Sequence, residues 1–327
     1  MRKEKIYIDS PPAFMDRSPA VTWLPVQRHL VSFHSGHPFS LAAERLARQA
    51  RATEWFDTVT VLHPAADHPA MHAFASQHAD FARRNPRGFG YWRWKPLLVQ
   101  AMLASLPEGA HLYYMDAGCE LSSIGAERFA ALDREVSARG ILCFEIDFPE
   151  LGWCKREAAE AVLGGWNESL MQSRQIQATW FGLHNCAAVR EHIAEWASWA
   201  TEGELITDAH AAERQHPLFS AHRHDQSLWS LALKKRGIVP LPQEDCFERW
   251  LYVPDSWVLL APVHGLRSRG SRSRIDAIGA SSSRQGCLAN LESPTLPFRS
   301  RLVASRLRSR AVGWLSKVRS RLYSAWR

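Results

Sequence analysis

Short hydrophobic runs alternate with longer helical patterns along most of the 327-residue chain. The short runs are rich in β-branched and aromatic residues, as strands are; they lie at 30–33, 56–62, 111–115, 141–146 and 175–183. Between them, hydrophobic residues recur three or four positions apart, as on helices; these segments are 41–52, 69–84, 126–139, 187–201 and 228–235. A strand, a helix and a strand within about 35 residues predict a βαβ unit with parallel strands. The pattern therefore predicts a single α/β domain whose mostly parallel central sheet is flanked by helices.

The stretch 88–121 carries the clearest candidate chemistry. It opens with an aromatic and basic cluster made of Tyr91, Trp92, Trp94 and Lys95. On an extended segment Trp92 and Trp94 would share one face, and Lys95 could either neutralise a phosphate or pair with a carboxylate. After a helical run, the strand 111–115 ends at Asp116, with Gly118 close behind. A carboxylate just past a buried strand lies where open α/β sheets bind ligands, although an Asp that caps a turn is the alternative.

A second candidate group is the hexapeptide His-Arg-His-Asp-Gln-Ser at 222–227. Its histidines and Asp225 could supply a metal ligand and a base. Asp225 could instead cap the helix that follows. Four further polar residues are candidates for acceptor binding or for support of the site, with solvated loop positions or core-edge amides as the alternative; they are Glu145, Asp147, Lys155 and Gln177.

Three motifs together, G-Y-W-x-W-K-P, Y-x-D-A-G and H-R-H-D-Q-S, resemble the glycosyltransferase-like proteins of bacterial surface-polysaccharide loci. Those proteins look like relatives of the GT-A nucleotide-sugar glycosyltransferases. The resemblance covers residues 31–240 and implies a GT-A-like fold. It also implies transfer of a sugar from a nucleotide-sugar donor to a glycan or lipid-linked acceptor, with a hexosyltransferase-like activity.

The resemblance also implies roles for individual residues. The implied donor-binding residues are Tyr91, Trp92, Trp94, Lys95, Asp116 and Gly118. The implied catalytic residues are Asp116, Asp225 and Gln226. A late His or Asp-Gln pair at a helix start closes the donor site in the resembling enzymes, which adds His222 and His224 to the site.

The family motif for a divalent metal is incomplete in this chain. The GT-A strand ends in Asp-x-Asp, which holds the metal and the donor diphosphate, but here Gly118 stands at the second Asp and Glu120 follows two residues later. Mn²⁺ or Mg²⁺ is therefore a candidate cofactor, with Asp116 and His224 as its candidate ligands. Gly118 also favours an alternative, a non-catalytic membrane-associated binding protein with a degenerate donor site. A metal-dependent hydrolase that uses His222, His224 and Asp116 is a further alternative.

Charge is unevenly distributed along the chain. The net charge is +7, but residues 266–327 contain fourteen Lys or Arg and only two acidic residues, so the basic pI does not indicate a nucleic-acid-binding core. Segment 266–298 begins with a Ser-, Arg- and Gly-rich composition typical of a flexible linker. Segment 299–327 has nine basic and no acidic residues and a helical hydrophobic stripe, which predicts an amphipathic helix on an anionic membrane surface.

These features predict three segments: a GT-A-like domain at 1–265, a linker at 266–298 and a basic amphipathic helix at 299–327. The six cysteines form no CxxC pair and are expected to be reduced thiols. The N-terminus lacks a signal-peptide pattern, and no apolar run reaches the length of a membrane span. We therefore expect a cytoplasmic protein that is peripheral to the inner face of the cell membrane, with no specific nucleic-acid partner.

Overall fold

The computed structural model describes residues 25–244, 252 and 254–292, without the side chains of 73–77 and 291–292. The strands of this part of the chain are β1 Arg28–Phe33, β2 Thr58–Leu62, β3 His111–Met115, β4 Glu120–Leu121, β5 Ile141–Leu142, β6 Glu145–Pro149, β7 Arg174–Ile176, β8 Trp180–His184 and β9 Val263–His264. The helices are α1 Phe39–Thr53, α2 Pro69–Arg84, α3 Gly88–Tyr91, α4 Trp94–Ser105, α5 Ala126–Arg139, α6 Glu150–Trp153, α7 Arg156–Leu163, α8 Glu168–Gln172, α9 Ala187–Thr201, α10 His224–Lys235, α11 Arg274–Gly279 and α12 Arg284–Glu292.

The central sheet has five strands in the order β2-β1-β3-β8-β5. β1 pairs in parallel with both β2 and β3, whereas β8 is antiparallel to β3 and to β5. Four of the five strands therefore run in the same direction. The prediction of an α/β fold with a mostly parallel central sheet is confirmed, and the βαβ unit is formed by β1, α1 and β2.

Helices cover both faces of this sheet. Successive side chains of a strand point to opposite faces, so Tyr114 packs in a core with residues of α4, α9 and α10. Its neighbour Tyr113 packs in a second core with residues of α1 and α5. Both tyrosines are fully buried. The strand β3 thus lies at the centre of the molecule, and its carboxyl end is held firmly.

Two predicted strands are each divided in the structure. The run 141–146 forms β5 in the central sheet and β6 in a separate two-stranded sheet with β7. Between β5 and β6 the backbone bonds instead to Leu241, which accepts from the amide of Glu145 and donates to the carbonyl of Cys143. The run 175–183 is divided in the same way into β7 and β8. At this second division the amide of Ala178 bonds the side chain of Gln226. In both runs, a hydrogen-bond partner distant in the chain lies where the hydrophobic pattern alone would continue the strand.

Residues 266–292, predicted to be part of a flexible linker, are folded against the core. Residues 265–273, which we call the strap, follow β9. Arg45 donates hydrogen bonds to the carbonyls of Ser268 and Gly270 in the strap and to those of Ala117 and Cys119 after β3. Beyond the strap, Ile275 and Cys287 are buried. Two serines of this segment, Ser268 and Ser273, donate hydrogen bonds to the buried carboxylate of Glu120. The Ser-rich composition therefore does not mark a flexible linker here.

The predicted amphipathic helix at 299–327 lies outside the described residues, as does most of the predicted N-terminal lead-in. Within the described part of the chain, no helix combines the length and hydrophobicity that crossing a bilayer requires.

Candidate functional site

A cavity of about 590 Å³ opens at the edge of the central sheet where β1 and β3 end. Its floor includes Phe33 and His34 from the end of β1 and residues 116–118 from the end of β3. Because β8 is antiparallel to β3, its beginning lies at the same edge and contributes Ala178 and Thr179. The start of α10 and the strap close the remaining sides. The carboxyl edge of a mostly parallel sheet is the usual ligand site of such folds.

Lys95 forms the centre of this site. It lies in the first turn of α4, and only 3% of its side chain is exposed. Its Nζ is 3.1 Å from Oδ1 of Asp116 and 2.8 Å from Oδ2 of Asp225, and it donates a 3.0 Å hydrogen bond to the carbonyl of Ala178. Burial alone would lower the pKa of Lys95, but the two carboxylates raise it above its ordinary value. Lys95 therefore carries its charge and joins α4, the end of β3 and the start of α10.

The two carboxylates beside Lys95 have different environments. The Asp116 side chain is 38% exposed to the cavity and accepts a 2.6 Å hydrogen bond from the hydroxyl of Tyr114. Asp225 is 7% exposed, and burial raises its pKa to about 6 despite the opposing effect of Lys95. Of the two, Asp116 is the carboxylate that a bound ligand can reach.

Gln226 helps to position Ala178, whose carbonyl accepts a hydrogen bond from Lys95. Its side-chain oxygen accepts from the amide of Ala178, whose carbonyl binds Lys95, and its nitrogen donates to Gln175. Asp225 was a candidate helix cap, but α10 begins at His224 and the Asp225 side chain pairs with Lys95. The first five residues of the hexapeptide, 222–226, line the cavity.

An aromatic wall stands beside the lysine. Trp92 stacks on the ring of His224 at 5.3 Å, and Tyr91 lies 4.9 Å from the same ring. The Nδ1–H of His224 donates to the carbonyl of Ile206. Burial lowers the pKa of His224 and, more strongly, that of His222, so both rings are neutral at neutral pH. The two histidines act as packed and hydrogen-bonded rings.

The backbone under this wall is strained. Trp92 and Trp94 were predicted to share a face of an extended segment, but Trp94 begins α4 and Trp92 lies in a left-handed turn. Positive φ angles occur at Phe89 (54°), Tyr91 (51°), Trp92 (58°) and His224 (51°). Each costs of the order of 1 kcal/mol for a non-glycine residue, and such strain gathers at functional sites.

Three arginines line the cavity without an ion pair to any described residue; they are Arg223, Arg267 and Arg269. The guanidinium of Arg223 lies 4.4 Å from the ring of Phe148 and 4.2 Å from that of Trp153. Burial and the nearby charge of Arg267 lower the pKa of Arg223 to about 10. Like charges that are not ion-paired to a carboxylate favour an anionic ligand, and guanidinium groups match phosphate in geometry.

Four sequence-predicted residues lie away from the cavity. Glu145 and Asp147 pair with Arg174 on the small sheet. Lys155 is buried and donates to the carbonyls of Glu204, Thr207 and Ala209. Gln177 is 2% exposed and does not line the cavity. Of the candidates for acceptor binding or support, the structure brings only His222 to the site.

The residues do not fit the candidate divalent metal. The ammonium of Lys95 already lies between the carboxylates of Asp116 and Asp225, so a protein cation stands between the two acidic groups. Among residues 25–244, 252 and 254–292 there is no group of three or more His, Cys, Asp or Glu side chains placed to hold a metal ion. At Gly118, a Cβ would lie 2.8 Å from the Cα of Arg267. The second Asp of the family motif therefore has no room here.

Comparison with known proteins finds structural neighbours and no sequence relatives. No protein-family model matches the chain, and no curated protein matches its sequence. The structure is similar to a glycosyltransferase involved in the glycosylation of the major capsid of PBCV-1, with a TM-score of 0.39 and 10% identity over 77% of this chain and 98% of that chain. It is also similar to mouse xyloside xylosyltransferase 1 in its apo form, with a TM-score of 0.37 and 12% identity over 75% of this chain and 95% of that chain. At this level of similarity, the function has to be argued from the residues of the site.

Sequence analysis missed the arginines of the site. Arg267 and Arg269 fall in the segment that was interpreted as a linker, and Arg223 lies inside a motif that was examined for its histidines and Asp225. One signal was available for the strap. The hydrophobic run 257–263 directly before it predicts a buried segment, and this run could have indicated that the arginines after it lie beside the core.

Proposed function

We propose that this protein is a glycosyltransferase that moves a sugar from a nucleotide-sugar donor to a hydroxyl group of a glycan or lipid-linked acceptor. The observation that carries this proposal is the pairing, in one cavity, of arginines that lack a carboxylate partner with the half-exposed carboxylate of Asp116. Arg223 and Arg267 suit the diphosphate of the donor, and Asp116 suits the acceptor hydroxyl. A cavity of about 590 Å³ lies within the range of sites that take a ligand of this size.

The proposed reaction assigns a task to each group. The bond between the sugar C1 and the diphosphate oxygen breaks, and its electron pair leaves with the nucleoside diphosphate. Arg223 and Arg267 stabilise the negative charge that develops there. The acceptor oxygen forms the new bond to C1, and its proton passes to the carboxylate of Asp116. The stacked wall of Trp92 and His224 provides an apolar surface for the base or the sugar.

Thermal shift of the full-length chain with nucleoside diphosphates and nucleotide sugars tests the donor site. The full chain is needed because the strap, which lies beyond residue 264, lines the cavity. A ligand at 100 times its dissociation constant adds about 2.7 kcal/mol of stability, so one nucleotide of the panel should raise the midpoint by several degrees. If no nucleotide changes the midpoint, the donor site does not exist.

The role of Asp116 is tested with the nucleotide sugar that binds. In Asp116→Asn, the donor should still raise the midpoint, while release of nucleoside diphosphate in the presence of sugar acceptors or water should fall by 10²–10⁴-fold, the usual contribution of a general base. Unchanged release by the variant would remove Asp116 from the chemistry.

A second candidate function has one observation in its favour. The backbone of the strap occupies the space beside Gly118 where a second carboxylate of the family motif would stand. This arrangement also suits a non-catalytic protein that binds the nucleotide sugar in a degenerate site. Donor binding without release of nucleoside diphosphate, from wild type and Asp116→Asn alike, would favour this function over transfer.

We also propose that the reaction takes place at the cytoplasmic face of the cell membrane during surface-polysaccharide synthesis. The support for this is the basic amphipathic pattern of 299–327, which suits an anionic surface. The full chain should sediment with vesicles that contain anionic lipid and not with neutral vesicles. Equal recovery with both kinds of vesicle would contradict the proposal.

A further inference from the structure

The ammonium of Lys95 lies among three oxygen atoms of the protein. Its Nζ is 3.1 Å from the carboxylate of Asp116 and 2.8 Å from that of Asp225, and it donates a 3.0 Å hydrogen bond to the carbonyl of Ala178. These contacts hold the ammonium beside the two carboxylates. Its single positive charge offsets one of the two negative charges of these carboxylates and so reduces their repulsion of a diphosphate. Lowering this repulsion is part of what a divalent cation does in an Asp-x-Asp site.

The acidic residues near Asp116 are committed elsewhere. Glu120 is buried and accepts hydrogen bonds from the hydroxyls of Ser268 and Ser273 and from the amide of Ile275. It therefore binds the strap and cannot turn to the cavity without releasing it. Position 118 has no room for a side chain. Neither position 118 nor position 120 therefore supplies a further acidic ligand for a metal beside Asp116.

Two cationic side chains, Arg223 and Arg267, line the cavity. The guanidinium of Arg223 lies against the rings of both Phe148 and Trp153. Arg267 reaches the same cavity from the strap, and its charge is close enough to lower the pKa of Arg223. Neither forms an ion pair with another described residue. Their guanidinium groups are therefore available to an anion that enters the cavity.

We propose that this site binds the diphosphate of its donor without a divalent metal, with the ammonium of Lys95 paired to Asp116 and Asp225 and with Arg223 and Arg267 contacting the phosphates. This inference rests on the proposed function for the identity of the donor. Its physical content, a metal-free diphosphate site built from protein cations, is independent of the sugar and of the nucleoside.

Titration calorimetry of the full chain with inorganic pyrophosphate in the presence of a chelator tests the arginines. Pyrophosphate should bind, and Arg223→Gln and Arg267→Gln should each weaken the binding at least tenfold. Arg272→Gln is the matched control, because Arg272 is an exposed arginine of the same strap that does not line the cavity, and its affinity should match that of the wild type. Absence of pyrophosphate binding in chelator, or equal loss in the control, overturns the proposal.

Electron paramagnetic resonance of Mn²⁺ added to the full chain tests Lys95. The wild type should show no stoichiometric Mn²⁺ site, with or without pyrophosphate. A single bound Mn²⁺ that disappears in Asp116→Asn overturns the proposal, since it would show that the metal displaces the ammonium.

These measurements separate the inference from the proposed function. If pyrophosphate binds in chelator while no nucleotide sugar does, the metal-free anion site is supported and the glycosyltransferase proposal fails. If a nucleotide sugar binds and turns over only with Mn²⁺, the glycosyltransferase proposal is supported and the metal-free site is wrong.

Discussion

At the scale of single residues, Lys95 connects stability with function. Two opposite charges in a protein interior lose their hydration, and their attraction compensates for this loss only when the geometry is good. Here one buried ammonium is shared by Asp225, which is buried, and by Asp116, which faces the cavity. The half-exposed Asp116 can exchange contacts with a ligand while Asp225 keeps the lysine charged and in place.

Replacement of Lys95 by Met should destabilise the protein by about 3–5 kcal/mol, because it leaves the buried carboxylate of Asp225 without its counter-charge. Urea unfolding of the variant and the wild type measures this difference. The double variant Lys95→Met/Asp225→Asn should recover a large part of the loss, since its buried polar group is neutral. If the double variant is no more stable than Lys95→Met, the lost packing of the lysine stem, and not the unpaired charge, is the cause.

At the scale of elements, the strap determines whether Arg267 and Arg269 reach the cavity. No regular strand or helix holds residues 265–273. They are held by Arg45 from α1, which bonds the carbonyls of Ser268 and Gly270, and by Glu120 of β4. Both Arg45 and Glu120 are completely buried. Side chains from two distant elements thus fix a segment whose own composition favours flexibility.

Replacement of Arg45 by Met should therefore loosen the strap without touching the cavity. We expect faster amide hydrogen exchange at residues 266–276 and about tenfold weaker pyrophosphate binding, which corresponds to about 1.4 kcal/mol. Hydrogen exchange with mass spectrometry and calorimetry measure the two effects.

Arg48→Met is the matched control for this change. Arg48 is an exposed arginine of the same helix that makes a single bond to the strap, at the carbonyl of Ser271. Its replacement should leave both measurements near the wild-type values. Unchanged exchange in Arg45→Met would show that other contacts hold the strap.

At the scale of the whole molecule, buried histidines link folding to pH. Burial lowers the pKa of a large set of histidines, namely His29, His34, His78, His184, His192, His222, His224 and His264. Below the ordinary histidine pKa of 6.5, the unfolded chain binds protons that the folded chain does not. Stability therefore falls as the pH is lowered through this range. Asp225, whose pKa burial raises to about 6, acts in the opposite direction but is a single group.

His264 gives the sharpest test of this linkage. Burial lowers its pKa to about 4, so between pH 6.5 and 4 it should account for about 3 kcal/mol of lost stability. Its ring nitrogen contacts the hydroxyl of Tyr252, a contact that an asparagine oxygen can replace. His264→Asn should flatten the dependence of unfolding free energy on pH between 7 and 4.5.

The control for His264→Asn is His72→Asn on α2, where 65% of the side chain is exposed. That change should leave the pH dependence of the wild type intact. A pH dependence that is equally steep in His264→Asn would mean that His264 is protonated in the folded protein at these pH values.

The sequence predicted the elements well where a single pattern decided them. The strand at 111–115 and the helices at 69–84, 126–139 and 187–201 have the predicted bounds. At these places the hydrophobic periodicity and the turn-forming residues at the ends of each segment indicated the same bounds. The predicted strands at 141–146 and 175–183 were divided, because backbone partners distant in the chain compete for their hydrogen bonds. Local pattern cannot show such partners.

The candidate site was predicted in part. The motifs at 91–95, 116–118 and 222–226 converge on one cavity, as expected for residues at strand ends and helix starts of one α/β sheet. Glu145, Asp147, Lys155 and Gln177 do not join them, because each finds a partner or a buried place elsewhere. A polar residue near a strand end indicates an edge of the sheet, but not the direction of its side chain.

By itself, the sequence determined the α/β class, the strand 111–115 and the candidate carboxylate at its end, since hydrophobic period and turn residues act locally. Only the tertiary structure decided the state of Lys95, the absence of room at Gly118 and the arrival of Arg267 at the cavity. Each of these depends on the meeting of segments that are 20 to 150 residues apart in the chain. Charge pairing and close packing act between residues that are close in space, so they can be determined only from the folded structure.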